Sequence, residues 1–417
     1  MTVTLDLGFT RSQFPAFSEP SLAGQAHFEN AGGSYACQQV INRLTNYYRQ
    51  TKIQPYYPSP ASSKAGQQMD QAYIRLAEYL NVSPQEVHIG PSTSQNTATL
   101  AHAFRKVLQP GDEIIVTNQD HEANTGVWRQ LANAGMVIKE WQISPDTGEL
   151  DVTQLDELIN DKTRLLTLPH CSNVIGQINP VTDICRKAKS AGVMTVVDGV
   201  SYAGHGLPDI DAMGADIYLF SLYKVYGPHQ GVMTIRRSAA EFLGNQGHFF
   251  NADADHIHYH FVPAGPDHAQ VAACNGVAEY FDALYQHHFK PEANAAINTR
   301  ARATLVAELM HEAEKKLMPP LLDFLEQRAG VRLIGPKTAE HRAPTISIAP
   351  AKQDPQQLCE ALSQHGIMAG SGHFYAYRAV EALGESTTTG VLRLSFVHYT
   401  SPDEIQQLIE ALDQVLD

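Results

Sequence analysis

The chain has 417 residues, of which 43% are hydrophobic and 18% charged, and its formal net charge is −14. A chain of this length can bury a large core and divide into two or three domains. The acidic excess would repel nucleic acid and anionic membranes, so neither is expected as a partner, whereas a small zwitterionic substrate is not excluded.

Cysteine usage predicts a reducing compartment. The five cysteines lie far apart in the sequence, at Cys37, Cys171, Cys185, Cys274 and Cys359. No pair has the spacing of a zinc site or a redox motif. Residues 1–17 lack the basic start and apolar segment of a leader, and no apolar stretch reaches membrane-spanning length. A cytoplasmic protein is therefore expected.

Short apolar runs alternate with segments of helical periodicity from about residue 85 to 236. This alternation is typical of strands joined by crossover helices, and it predicts an α/β fold with a mainly parallel sheet. Strands are predicted at Glu113–Val116, Val137–Ile138, Arg164–Leu168, Met194–Val197, Ile217–Phe220 and Val232–Ile235. Helices are predicted between most of them, for example over Asp183–Ser190.

The segment Val262–Pro266 interrupts this pattern. Two helical stretches are predicted after it, at about 269–287 and 291–316, and the prolines of Met318–Pro320 are expected to interrupt the second. Further strands are predicted at Val331–Ile334, Thr345–Ile348 and Val391–Phe396. These elements indicate a smaller α+β domain.

The last predicted helix has a well-defined start. Ser401 is suited to the N-cap, Pro402 to the first turn, and Glu404 would complete a capping box with Ser401. Its apolar face consists of Ile405, Leu408, Ile409 and Leu412.

Polar residues follow the predicted strands, at the sheet edge where ligands bind in parallel α/β folds. They are His121, Asn173, Asp198 and Lys224, and Ser92–Asn96 opens a helix after His88–Gly90. Each has a structural alternative as a cap, a turn residue or a lysine at a strand end. Coincidence does not explain why five such features follow successive strands, so a shared site is the preferred interpretation.

The combined set matches the needs of pyridoxal 5'-phosphate. A lysine at the mouth of a buried strand can have a lowered amine pKa and form a Schiff base. Thr93 and Ser94 would bind the phosphate at a helix N-terminus. Asp198 would keep the pyridine nitrogen protonated. His121 would cover the ring face, and Asn173 would bond the phenolic oxygen.

Six segments carry a family resemblance: Phe28–Gly33, Asp120–Asn124, His170–Gly176, Val197–Val200, Ser221–Lys224 with Tyr226–Pro228, and Leu392–Ser395. In their order and spacing, the chain resembles the class V aminotransferases of the aspartate-aminotransferase-like fold, and within them the cysteine desulfurase-like proteins. The resemblance implies the PLP-dependent transferase fold (fold type I). It also implies a large domain (residues 21–288) with a mainly parallel seven-stranded sheet, and a smaller α+β domain (1–20 and 289–417).

The same resemblance implies residue roles and a homodimer with active sites at the subunit interface. Lys224 would be the cofactor lysine, and Arg393 would bind the substrate carboxylate, although an internal salt bridge is the alternative for Arg393. Ala31, Gly32 and Asn173 would contact the substrate. The implied cofactor residues are Thr93, Ser94, His121, Asn173, Asp198, Ser201, Ser221, Tyr223 and Lys224.

The sequence also departs from the desulfurases. Tyr375, in the stretch Gly370–Ala376, stands where they carry the nucleophilic cysteine, and a phenol cannot hold a persulfide. Cys171 lies near the presumed site, but a small buried hydrophobe is its expected role. Ser201 replaces a glutamine, and Gly265–His268 replaces a glycine-threonine pair that would reach the partner's phosphate.

Three alternating histidines, His256, His258 and His260, would share one face of a strand and invite a metal hypothesis. No matching cysteine or carboxylate spacing supports that hypothesis, so no metal is expected.

The first hypothesis is a PLP-dependent enzyme that acts on a small α-amino acid through an external aldimine, with a preference for amino transfer. The alternative is a cysteine or cystine C–S β-lyase, in which Tyr375 or His373 protonates the leaving group. A non-catalytic PLP-binding regulatory protein is a further alternative. Retention of Lys224, Asp198 and Arg393 together argues against it.

Overall fold

The computed structural model describes residues 3–262, 265–289 and 297–416. Predictions that involve Pro263, Ala264 or residues 291–296 lie outside the described residues. The strands are β1 (Ala26–His27), β2 (Val87–Gly90), β3 (Glu113–Thr117), β4 (Val137–Trp141), β5 (Thr163–Pro169), β6 (Met194–Asp198), β7 (Ile217–Ser221), β8 (Gly231–Ile235), β9 (Val331–Ile334), β10 (Thr345–Pro350), β11 (Ile367–Met368), β12 (Gly370–Gly372) and β13 (Val391–Ser395).

The α-helices lie between and around these strands. They are α1 (Leu7–Ser12), α2 (Gln38–Gln50), α3 (Pro60–Leu80), α4 (Thr93–Val107), α5 (Glu122–Arg129), α6 (Leu155–Leu158), α7 (Val181–Ser190), α8 (Ile210–Met213), α9 (Arg237–Leu243), α10 (Ile257–Phe261), α11 (His268–Ala273), α12 (Asn275–Phe289), α13 (Thr299–Glu326), α14 (Pro355–Gln364), α15 (Tyr377–Ala382) and α16 (Pro402–Val415).

The large sheet has seven strands in the order β2-β8-β7-β6-β5-β3-β4, and it confirms the predicted α/β class. β8 runs antiparallel to both of its neighbours, β2 and β7, and the other pairs in this sheet are parallel. Successive side chains of a strand point to opposite faces, and β3 shows the consequence. Ile114 and Val116 are buried in one apolar cluster and Ile115 in another, because helices cover both faces.

Sheet pairing brings the ends of the parallel strands together. In the register, Pro169 of β5 lies opposite Asp198 of β6, and Asp198 lies opposite Leu219 of β7. The turns that follow these strands therefore meet at one edge. This edge carries most of the residues predicted to be functional.

A second sheet, in the order β12-β13-β10-β9, is antiparallel and places Arg393 of β13 opposite Gly370 of β12. The N-terminal strand β1 pairs in parallel with β11, and Glu29 forms a β-bridge with Ser395. The segment after β1 consequently runs beside β13. The proposed division into domains stays a prediction.

One local prediction was wrong. Helix α13 continues through Pro319 and Pro320 instead of ending there. The neighbouring Leu317, Met318 and Leu321 pack in the apolar cluster beneath the second sheet, and this burial outweighs the lost backbone hydrogen bonds.

The alternating histidines belong to a short helix and not to a strand. His258 and His260 lie within α10, and His258 stacks on Tyr73 with ring centroids 4.8 Å apart. The described part of the chain contains no group of three or more side chains arranged to hold a metal ion. Within that part, no helix is long and apolar enough to cross a bilayer.

The predicted cap of the last helix is confirmed. Ser401 Oγ accepts the Glu404 N–H at 3.1 Å, and the Ser401 N–H donates to Glu404 Oε2 at 2.8 Å. We expect Ser401→Ala to lower the free energy of unfolding by about 1 kcal/mol, because it removes this cap. Urea unfolding followed by circular dichroism would measure it.

Ser190→Ala is the control. Ser190 is exposed and is the C-terminal residue of α7, so its hydroxyl does not cap a helix N-terminus. Its effect should stay within about 0.5 kcal/mol. Equal destabilisation by the two substitutions would contradict the importance of the cap.

Candidate active site

A pocket opens at the carboxyl edge of the large sheet. The structure brings to this single pocket all the residues predicted to hold the cofactor, namely Thr93, Ser94, His121, Asn173, Asp198, Ser201, Ser221, Tyr223 and Lys224. Their individual roles stay predictions.

One end of the pocket is the N-terminus of α4. The first N–H groups of a helix have no partner within the helix and favour an anion. Thr93 Oγ1 and Ser221 Oγ lie 2.7 Å apart beside them. Gly231 of β8 allows the sheet to come this close, since a Cβ there would lie only 2.4 Å from the Thr93 nitrogen.

Asp198 lies at the end of β6 and is buried. Its Oδ1 accepts the Val200 N–H at 2.8 Å. Burial raises the pKa of Asp198 to about 6, although the Val200 N–H and the charge of Lys224 act in the opposite direction. The carboxyl group is therefore mostly ionised at pH 7, as a partner for a protonated ring nitrogen must be.

Lys224 lies in the turn that follows β7, and it is half-buried because the pocket exposes part of its side chain. Burial and the charge of Arg393 lower the pKa of Lys224 to about 8, against the opposing effect of Asp198 and Glu29. Gly204 packs against this turn, where a Cβ would lie 2.6 Å from the Lys224 carbonyl oxygen. The amine is thus held in a position and a state suited to nucleophilic attack.

His121 caps the N-terminus of α5. Its Nδ1 accepts the Ala123 N–H at 3.0 Å. Burial and the positive charges of Lys224 and Arg393 lower its pKa to about 4, so the imidazole is neutral and its remaining proton is on Nε2. Such a ring can cover a flat aromatic ligand without adding a charge.

Asp120 is a pocket residue that the sequence reasoning missed. Its carboxyl group accepts the His121 N–H at 3.1 Å and Asn124 Nδ2 at 2.8 Å. Burial and the nearby Asp198 raise the pKa of Asp120 well above its usual value. The sequence signal that could have identified Asp120 is its position shortly after β3 and directly before His121.

Arg393 forms the internal salt bridge that was the alternative at the sequence level. Its Nη2 contacts both oxygens of Glu29, Oε2 at 3.0 Å, and its Nη1 donates to the Asn173 carbonyl oxygen at 3.1 Å. The ring of Phe374 covers its guanidinium at 3.7 Å. Glu29 is the second residue whose importance the sequence reasoning missed, although it belongs to the Phe28–Gly33 segment.

The loop after β12 contacts residues of the pocket. The Glu122 N–H donates to the Tyr375 carbonyl oxygen at 2.8 Å, and Asn173 Nδ2 donates to the Phe374 carbonyl oxygen at 2.9 Å. Tyr375 is 67% exposed, and its ring centroid is 5.2 Å from that of His121. His373 Nδ1 accepts the Tyr375 N–H at 3.1 Å. The loop therefore places Tyr375 beside His121, with His373 supporting its backbone, but neither Tyr375 nor His373 lines the pocket itself.

The predicted substrate residues Ala31 and Gly32 lie in the segment after β1. The Ala31 N–H donates to Ser395 Oγ at 2.9 Å, and Ala31 shares a smaller cavity with Ser201 and Lys224. Gly32 packs against Glu29, where a Cβ would lie 2.7 Å from Oε1. This segment therefore joins the second sheet to the pocket.

These features fit pyridoxal 5'-phosphate. The helix N-terminus suits the phosphate, Asp198 the ring nitrogen and Lys224 the aldehyde. Asn173 Oδ1 is buried without a hydrogen-bond partner within the described residues, which is consistent with a ligand completing the site. Cys171 also lines the pocket, but burial raises its pKa to about 12, so it is a neutral thiol.

The family model described as aminotransferase class-V matches residues 26–408. The aminotransferase-like protein FGM3 of Gibberella zeae is 34% identical, over 97% of each chain. A cysteine desulfurase of Serratia proteamaculans is 27% identical, over 97% of each chain. The apo structure of a cysteine desulfurase from Thermococcus onnurineus has a TM-score of 0.85 and 20% identity, and it covers 100% of this chain and 99% of its own.

The lowered pKa of Lys224 predicts how the protein captures its cofactor. Only the neutral amine attacks an aldehyde, so the capture rate should rise about tenfold per pH unit below pH 8 and level off above it. Mixing cofactor-free protein with pyridoxal 5'-phosphate and following Schiff-base absorbance would measure this rate.

Lys224→Ala is the control for that experiment. Any residual reaction with surface lysines should continue to accelerate up to about pH 10, the usual lysine pKa. A wild-type profile without a plateau near pH 8 would refute the environment assigned to Lys224.

Proposed function

The chain belongs to the aminotransferase class-V family, whose enzymes depend on pyridoxal 5'-phosphate, and we propose that it transfers the amino group of a small α-amino acid. The observation that carries this proposal is the convergence of Lys224, Asp198 and the N-terminus of α4 on one pocket. Lys224 there has a pKa lowered to about 8, and Asp198 is mostly ionised.

When bound, the cofactor would supply a carbonyl carbon for the amino group and a ring that accepts electrons. Lys224 would remove the proton from the substrate α-carbon and return it to the cofactor carbon that carried the aldehyde. Asp198 would keep the ring nitrogen protonated, and neutral His121 would cover the ring. Arg393 would hold the substrate carboxylate.

Amino transfer is favoured over desulfuration by the loop beside the pocket. A persulfide-forming enzyme needs an accessible thiolate. Tyr375 lies beside His121 in this loop, and none of the five cysteines lies between residues 370 and 377. Cys171, which lines the pocket, has a raised pKa and is buried.

A C–S β-lyase is the second candidate function. The position of Tyr375, exposed and with its ring centroid 5.2 Å from that of His121, favours it. A phenol there could donate a proton to a departing thiolate. Both reactions begin with proton removal by Lys224 and differ in the step that follows.

We also propose that the protein is a cytoplasmic homodimer whose active sites lie at the subunit interface. Its five cysteines are free, which agrees with a reducing compartment. Phe249 and Phe250 are strongly exposed in the single chain. Apolar residues that a second subunit covers in a dimer would have this exposure.

A panel of amino acids tests the proposed reaction. We expect the wild-type protein, loaded with pyridoxal 5'-phosphate, to convert the cofactor to its pyridoxamine form and to release one 2-oxo acid equivalent with at least one amino acid. Absorbance and product analysis would detect both. Lys224→Ala should lower the rate by a factor of about 100 or more, because it removes the proton carrier.

Replacement of Tyr375 separates the two candidate reactions. Tyr375→Phe should leave amino transfer within about twofold, because that reaction has no leaving group to protonate. It should slow release of sulfide and pyruvate from cysteine by about tenfold or more if the enzyme is a lyase. Sulfide and ammonia released without the pyridoxamine form would contradict the proposed amino transfer.

A further inference from the structure

The guanidinium of Arg393 is already paired with the chain itself through both of its Nη atoms. Nη2 contacts Glu29, Nη1 donates to the Asn173 carbonyl oxygen, and Phe374 covers one face. Nε is buried and has no hydrogen-bond partner in the part of the chain that the structure describes. A substrate carboxylate that needs two parallel N–H donors therefore finds its best position occupied by a glutamate.

The position of Glu29 is built into the backbone around it. A Cβ at Gly32 would lie 2.7 Å from Glu29 Oε1, and a Cβ at Gly370 would lie 3.0 Å from the same oxygen. Gly370 lies directly opposite Arg393 in the pairing of β12 with β13. Two glycines from separate segments thus leave a slot for this carboxylate beside the guanidinium.

The two members of the pair differ in their access to solvent. The side chain of Arg393 is only 3% exposed, whereas that of Glu29 is 27% exposed. Glu29 can therefore turn outward while Arg393 stays in place. A buried guanidinium left without a counter-charge is unfavourable, so the departure of Glu29 requires another anion at Arg393.

We propose that Glu29 is a specificity-determining residue that competes with the substrate carboxylate for Arg393. An α-amino acid displaces Glu29 and supplies the replacement anion, and part of its binding free energy is used in that exchange. An amine without a carboxylate leaves the Glu29–Arg393 pair intact. This inference depends on the proposed role of Arg393 in holding the substrate carboxylate.

The test compares holoenzyme variants in absorbance titrations of the bound cofactor. The probes are L-alanine, L-serine and L-cysteine, each with its carboxylate-free counterpart: ethylamine, ethanolamine and cysteamine. Glu29→Gln should lower the apparent Kd of the amino acids about tenfold, the value of one hydrogen bond to a charged group. The apparent Kd of the amines should change less than twofold.

Glu385→Gln is the matched control. Glu385 is 23% exposed, similar to Glu29, and it pairs at 2.8 Å with Arg332, which does not line the pocket. This substitution should leave both series unchanged. Glu29→Asp shortens the side chain by one methylene group and moves the carboxylate away from Arg393, so it should also lower the apparent Kd of the amino acids. It replaces Glu29→Gln in the test if the glutamine variant has a reduced melting temperature.

Unchanged or weaker binding of amino acids by both Glu29 variants would overturn the competition and assign Glu29 to the support of Arg393. A failure of the proposed function looks different. In that case, the wild-type cofactor spectrum would respond to none of the twenty amino acids, before any variant is compared.

Discussion

The active-site region depends on charged groups held together away from bulk water at one edge of a parallel sheet. Lys224, Asp198, Asp120 and Arg393 influence one another there, because burial penalises every charge and each neighbour either offsets or increases that penalty. The amine pKa falls to about 8 and the Asp198 pKa rises to about 6. Near neutral pH, a fraction of Lys224 is thus the neutral, nucleophilic amine, while Asp198 is mostly ionised.

Two sheets contribute to this region, and one short segment connects them. The chain after β1 forms a bridge to β13 and carries both Glu29 and Ala31 toward the pocket. The loop after β12 contacts Asn173 and the start of α5 through its backbone. The residue that would bind the carboxylate and those that would bind the cofactor therefore belong to different sheets but share contacts through Asn173. A shift of the second sheet would alter both.

A buried polar network supports the turn that carries Lys224. Glu314 of α13 contacts His205 Nδ1 at 2.9 Å and accepts the His398 N–H at 3.0 Å. The hydroxyl of Tyr226, two residues after Lys224, bonds to the Gly204 carbonyl oxygen and lies 3.2 Å from His398 Nδ1. Such a network is costly to leave incomplete, so it favours one conformation of the turn. Through Glu314, the long helix α13 is thus connected to the turn that carries Lys224.

The sequence by itself determined strands β3 to β10 and β13, the capped last helix and the polar residues at the strand ends, because apolar periodicity, capping and strand direction are local properties of the chain. It could not determine that α13 continues through Pro319, since burial of the flanking residues decides this. Nor could it show that Arg393 is paired with Glu29, 364 residues away. Asp120 was missed, because the burial and the neighbouring Asp198 that raise its pKa exist only in the folded protein. The tertiary structure decided these features, because contacts between distant segments and the exclusion of water arise only when the chain folds.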